Sequence, residues 1–254
     1  MRWFLGMVLA IAAAGIRADE TEWRPPFITT PPEVVERMLQ VAQTRASDLV
    51  IDLGSGDGRI VIAAAQKFGA RGVGIELDPK LVEKSREAAR AAQVTDKATF
   101  VQGDVLTVDI SRATVVTVYL LPELMRKLQP RFVDELAPGT RIVSHAFTMA
   151  GWAPDKTETV KVRERHTGQG DESRLHLWIV PANVRGVWRG PGMEVRIEQN
   201  FQSIDVDGAS RATISGREIT WELGGARFSG RVEGNRMTGE VFVMGVSRPF
   251  ELTR

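Results

Sequence analysis

From Leu49 onward, short apolar runs alternate with amphipathic stretches. Leu49-Val50-Ile51, Gly72-Val73-Gly74-Ile75, Ala98 to Val101 and Val115 to Tyr119 are aliphatic segments bounded by turn residues, the pattern of strands buried on both faces. Arg59 to Lys67 between the first two is spaced as a helix, and Asp78-Pro79 reads as an N-cap followed by proline in a first helical turn. Ahead of the first strand, Thr30-Pro31-Pro32-Glu33 has the order of a capping box, and Val34, Val35, Met38, Leu39 and Ala42 make an apolar helical stripe. Pro122 and Pro130 each look like helix starts, which divides Glu123–Leu136 into two short helices. Arg141 to Phe147 reads as a fifth strand, and Thr159 to Arg165 is expected to pair with Arg174 to Val180 across the polar loop Thr167 to Ser173. Such alternation favours a parallel sheet with helices on both faces.

The rhythm changes at Gly186. Glu194 to Glu198, Gln202 to Val206, Glu218 to Leu223, Arg227 to Val232 and Gly239 to Val243 alternate with a period of two, separated by Asp207-Gly208, Gly224-Gly225 and Gly234-Asn235. The expected division is a leader over residues 1–18, an α/β domain over 19–185, and a small all-β meander, sandwich or half-barrel over 186–254.

The chemistry concentrates at strand ends. Asp52-Leu53-Gly54-Ser55-Gly56-Asp57-Gly58 joins the first strand to a helix, and glycines there accept positive φ and let backbone approach a ligand, while the helix start offers N–H groups. Glu76 ends the second strand, where an acid can accept hydrogen bonds from ribose hydroxyls. Gly103-Asp104 follows the third, so three acids sit at three successive strand ends. The glycine spacing differs from that of dinucleotide enzymes, whose third glycine would fall at Arg59.

With Gly54, Gly56 and Gly58 in that order, the chain resembles the class I, seven-strand methyltransferases that use S-adenosyl-L-methionine, over roughly Phe27 to Pro181. The resemblance implies a Rossmann-like doubly wound sheet with an antiparallel last strand pair, followed here by the all-β domain. It implies that Asp52, Gly54, Ser55, Gly56 and Gly58 hold the methionine part of the cofactor, Glu76 with Leu77 the ribose, and Asp104 with Val105 the adenine. Pro26-Phe27-Ile28-Thr29-Thr30-Pro31, Asp52 to Ile62 and Val118-Tyr119-Leu120-Leu121-Pro122 look more narrowly like the small lysine methyltransferases of the ATP synthase c-subunit and elongation factor type. In those proteins the segment before the first motif packs over the cofactor, which brings Thr30 into the site. Enzymes acting on amide or adenine nitrogens carry Asn/Asp-Pro-Pro-Tyr/Phe where this chain has Tyr119-Leu120-Leu121-Pro122, which argues against those acceptors.

Composition narrows the picture further. Net charge is +1, and residues from Gly186 onward hold nine arginines against nine acids, so nucleic acid is not expected as a primary ligand. The absence of cysteine removes disulfides, thiolate metal sites and a thiol nucleophile. His145, His166 and His176 fall on expected strands without companion carboxylates at metal-ligand spacing, so no metal is expected. Trp3 to Ile16 is an apolar run too short for a comfortable membrane span. It reads as a secretory signal peptide or a short anchor, implying an exported or membrane-anchored protein and membrane association through residues 3–16.

The expected activity is in-line transfer of a methyl group to a nucleophile on a protein or small molecule, a protein lysine amine among the candidates. Tyr119, the one tyrosine of the chain, falls where the acceptor meets the sulfonium in similar enzymes and is the candidate catalytic residue. Two alternatives stand beside it: an exported scaffold that binds the nucleoside without turnover, and a nicotinamide dehydrogenase.

Overall fold

The computed structural model describes residues 28–166 and 170–254. The leader, Pro26 and Phe27 lie outside the described residues, as do the middle of the loop near 168 and the His166 side chain. Two sheets organise the chain, one of seven strands and one of eight.

The first sheet is built from β1 (Leu49–Leu53), β2 (Arg71–Glu76), β3 (Ala98–Gln102), β4 (Val115–Val118), β5 (Arg141–His145), β6 (Lys156–His166) and β7 (Gly170–Ile179), in the order β3-β2-β1-β4-β5-β7-β6. β1 to β5 run parallel, and β7 is antiparallel to both β5 and β6, the hairpin expected from the sequence. Helices α1 (Pro32–Val41), α2 (Arg59–Phe68), α3 (Pro79–Ala91) and α4 (Pro122–Glu135) cover its faces. On one face Val34, Met38 and Leu39 of α1 pack with Val50, Val143 and Leu175; on the other, Met125, Leu128 and Phe132 of α4 pack with Leu53, Val116 and Ile142. Burying both faces is why β1, β4 and β5 read as continuous apolar runs, whereas the edge strand β3, expected to be buried on both faces, exposes Thr99 and Val101.

Two local expectations are corrected. Pro130 does not divide the region after Pro122, because α4 is one helix with Pro130 inside it. The missing N–H and the ring cost a helix interior ~3 kcal/mol. Leu128 and Phe132 are fully buried on either side of Pro130, and losing their contacts would cost more. Thr30 does not cap α1: the N-cap residue is Pro31, with no side-chain hydrogen bond, while Glu33 accepts from the backbone N–H of Arg163 on β6. Thr30 lies one residue too early and its hydroxyl is engaged elsewhere. Asp78 does cap α3, accepting from Lys80 N at 2.8 Å.

The second sheet comprises β8 (Gly186–Gly190), β9 (Met193–Asn200), β10 (Ser203–Val206), β11 (Arg211–Ser215), β12 (Glu218–Leu223), β13 (Ala226–Glu233), β14 (Arg236–Val243) and β15 (Val246–Thr253). Its order is β10-β9-β8-β15-β14-β13-β12-β11, antiparallel throughout. The edge strands β10 and β11 are consecutive and lie together, so the sheet curls into a near-barrel and is no sandwich. Trp188, Ile197, Ile219, Trp221, Met237 and Leu252 fill its interior. β8, β11 and β15 go beyond the runs expected from the sequence.

One end of the barrel rests on the first sheet. Gly216, between β11 and β12, accepts from Ala182 N and lies against the Gly139 turn that leads into β5. Phe201, between β9 and β10, stacks on Trp152 at 4.9 Å and 5°, and the Gln202 side chain donates to Ala153 O. Gly139 precedes β5 and Ala153 precedes β6, so this contact is at the amino edge of the parallel strands.

Because Trp152 is buried, Trp152→Ala should destabilise the protein by about 3–5 kcal/mol in urea denaturation. Combined with Phe201→Ala, it should show a coupling of about 0.5–1.5 kcal/mol, the value of an aromatic pair.

Candidate active site

The carboxyl edge of β1, β2 and β3 brings the predicted acids to one side of the sheet. β1 ends in a turn that reverses over the tip of β2: Gly54 N and Ser55 N both donate to Ile75 O at 2.9 Å. Gly54, Gly56 and Gly58 all take the left-handed conformation, at φ 78°, 54° and 80°. A Cβ on Gly54 would lie 2.8 Å from Leu120 Cδ2, and one on Gly58 2.7 Å from the Phe100 ring, so neither position can carry a side chain without displacing its neighbours. Gly54 is exposed, leaving bare backbone at the edge.

Glu76 fastens the turn. Its Oε2 accepts from Gly56 N at 2.9 Å and its Oε1 from Asp78 N at 3.0 Å, while Glu76 O accepts from Gly103 N. One residue thus joins the loops after β1 and β2 through its carboxylate and the loop after β3 through its carbonyl. Each oxygen keeps a lone pair for a further donor. Leu77, next to it, is exposed. Asp104 is exposed and turns Oδ1 onto Leu106 N at 2.8 Å, forming its own loop, with Val105 half-buried beside it.

Asp52 lies beneath the turn with 2% exposure and accepts from the Thr117 hydroxyl at 2.7 Å. Thr117 is its register partner on β4, so both side chains emerge on the same face. Burial is the main reason that Asp52 is pushed up to about 7; the Thr117 bond opposes this and the neighbouring charges of Glu76 and Asp57 reinforce it. Asp57 goes the other way: the Arg59 hydrogen bonds hold its carboxyl below the usual range despite partial burial. Arg59 also donates to Thr30 O, anchoring the segment before α1 to the glycine turn.

A second cluster closes the edge at β4 and β5. Thr30 Oγ1 is 3.2 Å from His145 Nδ1, and the His145 ring lies 4.1 Å from that of Tyr119, whose ring is also 6.2 Å from that of Phe147. The structure brings Tyr119, Thr30, Asp52, the glycines and Glu76 to one edge. Ser55 is buried, its hydroxyl without a hydrogen-bond partner among the described residues. Thr117, Arg59 and His145 were not singled out as site residues from the sequence. Only the register of β1 against β4 reveals Thr117, and only the chain's return over the sheet reveals His145. His176 bonds Thr157 instead, and no three His, Cys, Asp or Glu side chains among the described residues gather as metal ligands.

Comparison with known proteins agrees with this edge. The ANTKMT methyltransferase domain family matches residues 52–156. The protein-lysine N-methyltransferase of Saccharolobus islandicus (strain REY15A) is 43% identical over 140 residues, covering 55% of this chain and 86% of that protein. The chain belongs to the S-adenosylmethionine-dependent methyltransferases. The ATP synthase c-subunit lysine N-methyltransferase of Rattus norvegicus is 39% identical over 132 residues, covering 52% of this methyltransferase and 60% of the rat protein. A crystal structure of an RNA methyltransferase from Salinibacter ruber in complex with S-adenosyl-L-homocysteine aligns with TM-score 0.56 and 48% identity, covering 62% of this chain and 96% of that one.

The residues of the methyltransferase fit its cofactor. Asp52 is a buried carboxylate with one hydroxyl donor and no cation among the described residues, and an ammonium or sulfonium ligand would supply the missing positive charge. Glu76 has acceptor capacity for a diol, and the side-chain-free Gly54 admits close approach.

Since the charged form of Asp52 is penalised on folding, the unliganded protein loses stability from this group as pH rises from about 4 to 7. Asp52→Asn should therefore melt higher than the parent at pH 8. The gain should vanish toward pH 4 when the two are compared by calorimetry.

Proposed function

We propose that the protein transfers the methyl group of S-adenosylmethionine to a lysine side-chain amine of a protein substrate. In this reading Asp52, Gly54, Ser55, Gly56, Gly58, Glu76, Leu77, Asp104, Val105 and Thr30 form the cofactor site, and Tyr119 meets the acceptor. The observation that carries the choice of acceptor is the charge of the carboxyl edge. Glu76 and Asp104 have no ion-pair partner among the described residues, and the Arg59 cation is occupied by Asp57. Such an edge attracts an ammonium and repels a phosphate backbone. Kinship with two lysine methyltransferases supports the same reading. The apolar run Trp3 to Ile16 favours a place at or beyond a membrane.

The cofactor supplies a methyl group already activated by its positive sulfur. The protein's part is alignment and exclusion of water. Asp52 and Glu76 hold the charged and hydroxyl ends, while Tyr119, packed against His145 and near Phe147, orients the incoming amine. The amine, ordinarily protonated below about pH 10.4, sheds its proton before attack, helped by desolvation against these rings.

With labelled cofactor and whole-cell extract, the label should be protease-sensitive and recovered as methyl-lysine; label removed by ribonuclease instead would overturn the proposal. Asp52→Ala and Glu76→Ala should each weaken cofactor binding in calorimetry by about 10–100-fold, the loss of a hydrogen bond to a charged group. Binding should also weaken as pH falls below about 7, when Asp52 takes up a proton. Tyr119→Phe should lower kcat and leave cofactor affinity near normal.

A further inference from the structure

Phe242, Met244 and Val246 are the large apolar residues of the barrel that stand exposed, and they share one hairpin tip, between β14 and β15. Met244 is 97% exposed. It also occupies a costly position: Met244 and Gly245 form a two-residue turn with φ 49° and 81°, a shape that favours asparagine, aspartate or glycine first. The turns Gly224-Gly225 and Gly234-Asn235 follow that preference. A left-handed methionine with its side chain in solvent gains nothing from the fold around it. The turn led by Phe201 is the instructive parallel: it too sets a large apolar residue at positive φ, and that ring is covered by Trp152 of the neighbouring unit. No described residue covers Met244 in the same way.

The charges around the tip indicate what kind of surface it meets. Arg211, Glu222, Arg227, Phe242 and Ser247 are successive register partners across five strands, and Arg248 lies opposite Val241. Arg211, Arg227 and Arg248 are exposed and have no ion pair among the described residues, as is also true of Arg196 away from the tip, whereas Arg185, Arg189, Arg231 and Arg236 are paired with glutamates. The acids at this end are Glu222, between two of these arginines, Glu240, which accepts from Ser247, and Asp207 in the turn before β11, farther from the tip than Arg227 and Arg248. An apolar tip whose nearest charged neighbours are Arg227, opposite Phe242, and Arg248, two residues beyond Val246, matches the boundary of an anionic bilayer, acyl chains for Phe242, Met244 and Val246 and headgroup phosphates for the guanidiniums. A second copy of the same tip would instead set like charges together. The tip is at the end of the barrel opposite Phe201 and Gly216, so the contact with the first sheet leaves it accessible.

We infer that the β14–β15 hairpin is a membrane-docking element that inserts Phe242, Met244 and Val246 into the interface of an anionic bilayer. The chain has no cysteine, so Met244→Cys in the full chain gives a single site for a polarity-sensitive fluorophore, with Asn235→Cys, at the opposite end of β14, as control. Vesicles of phosphatidylcholine with about a third phosphatidylglycerol should shift the label at 244 to the blue and leave that at 235 unchanged. Arg227→Gln and Arg248→Gln should each weaken this partitioning about fivefold. Three results would overturn the inference: a label at 244 that is silent while the chain sediments with vesicles through its N-terminal run, equal response to vesicles lacking anionic lipid, or a shift that follows protein concentration without vesicles, which would mark a protein-protein contact.

Discussion

A turn with no room for side chains at positions 54 and 58 sets the geometry of the catalytic edge. Between Asp52 and Arg59 the backbone has to reverse against β2 while Leu120, Phe100 and Ser85 crowd the positions where Cβ atoms would be. Glycine at 54 and 58 satisfies both demands, positive φ and lack of volume. Once the turn is tight, Gly56 N reaches the Glu76 carboxylate, the β3 loop is drawn in through Gly103, and Asp52 is sealed beneath. The acidity of Asp52 is therefore a product of backbone geometry several residues away.

That arrangement explains how one edge can bind a doubly functional ligand without a metal-like cluster of charges. Asp52 and Asp57 are neighbours in the same loop yet are pushed in opposite directions, one by burial with a single hydroxyl donor, the other by the Arg59 fork. The carboxylate left uncompensated is the one that a cationic ligand can complete. Arg59, by bonding Thr30 O as well, makes the segment before α1 part of the same construction.

Much of this was legible in the chain itself. The central parallel strands were visible because burial on both faces leaves no polar alternation, and Asp52 because the glycine-rich turn that follows marks the end of its strand. Thr30 was misread because the capping-box pattern is local, and its hydroxyl is claimed by His145, over a hundred residues away in sequence. Pro130 was misread because the rule against helix-interior proline weighs only the backbone, and the buried stripe of Met125, Leu128 and Phe132 outweighs it. β15 was hidden by Pro249; it pairs with β8 only near Thr253, so the first half of the strand is an edge where a missing N–H breaks no ladder bond. Thr117 could not be found without the register of β4 against β1.

The barrel joins the sheet at its amino edge, through Gly139, Trp152 and Ala153, while the glycine turn, Glu76 and Tyr119 belong to the opposite edge. Mutations that reshape the barrel are thereby insulated from catalysis, and evolution could recruit, alter or discard this appendage while the chemistry stayed constant.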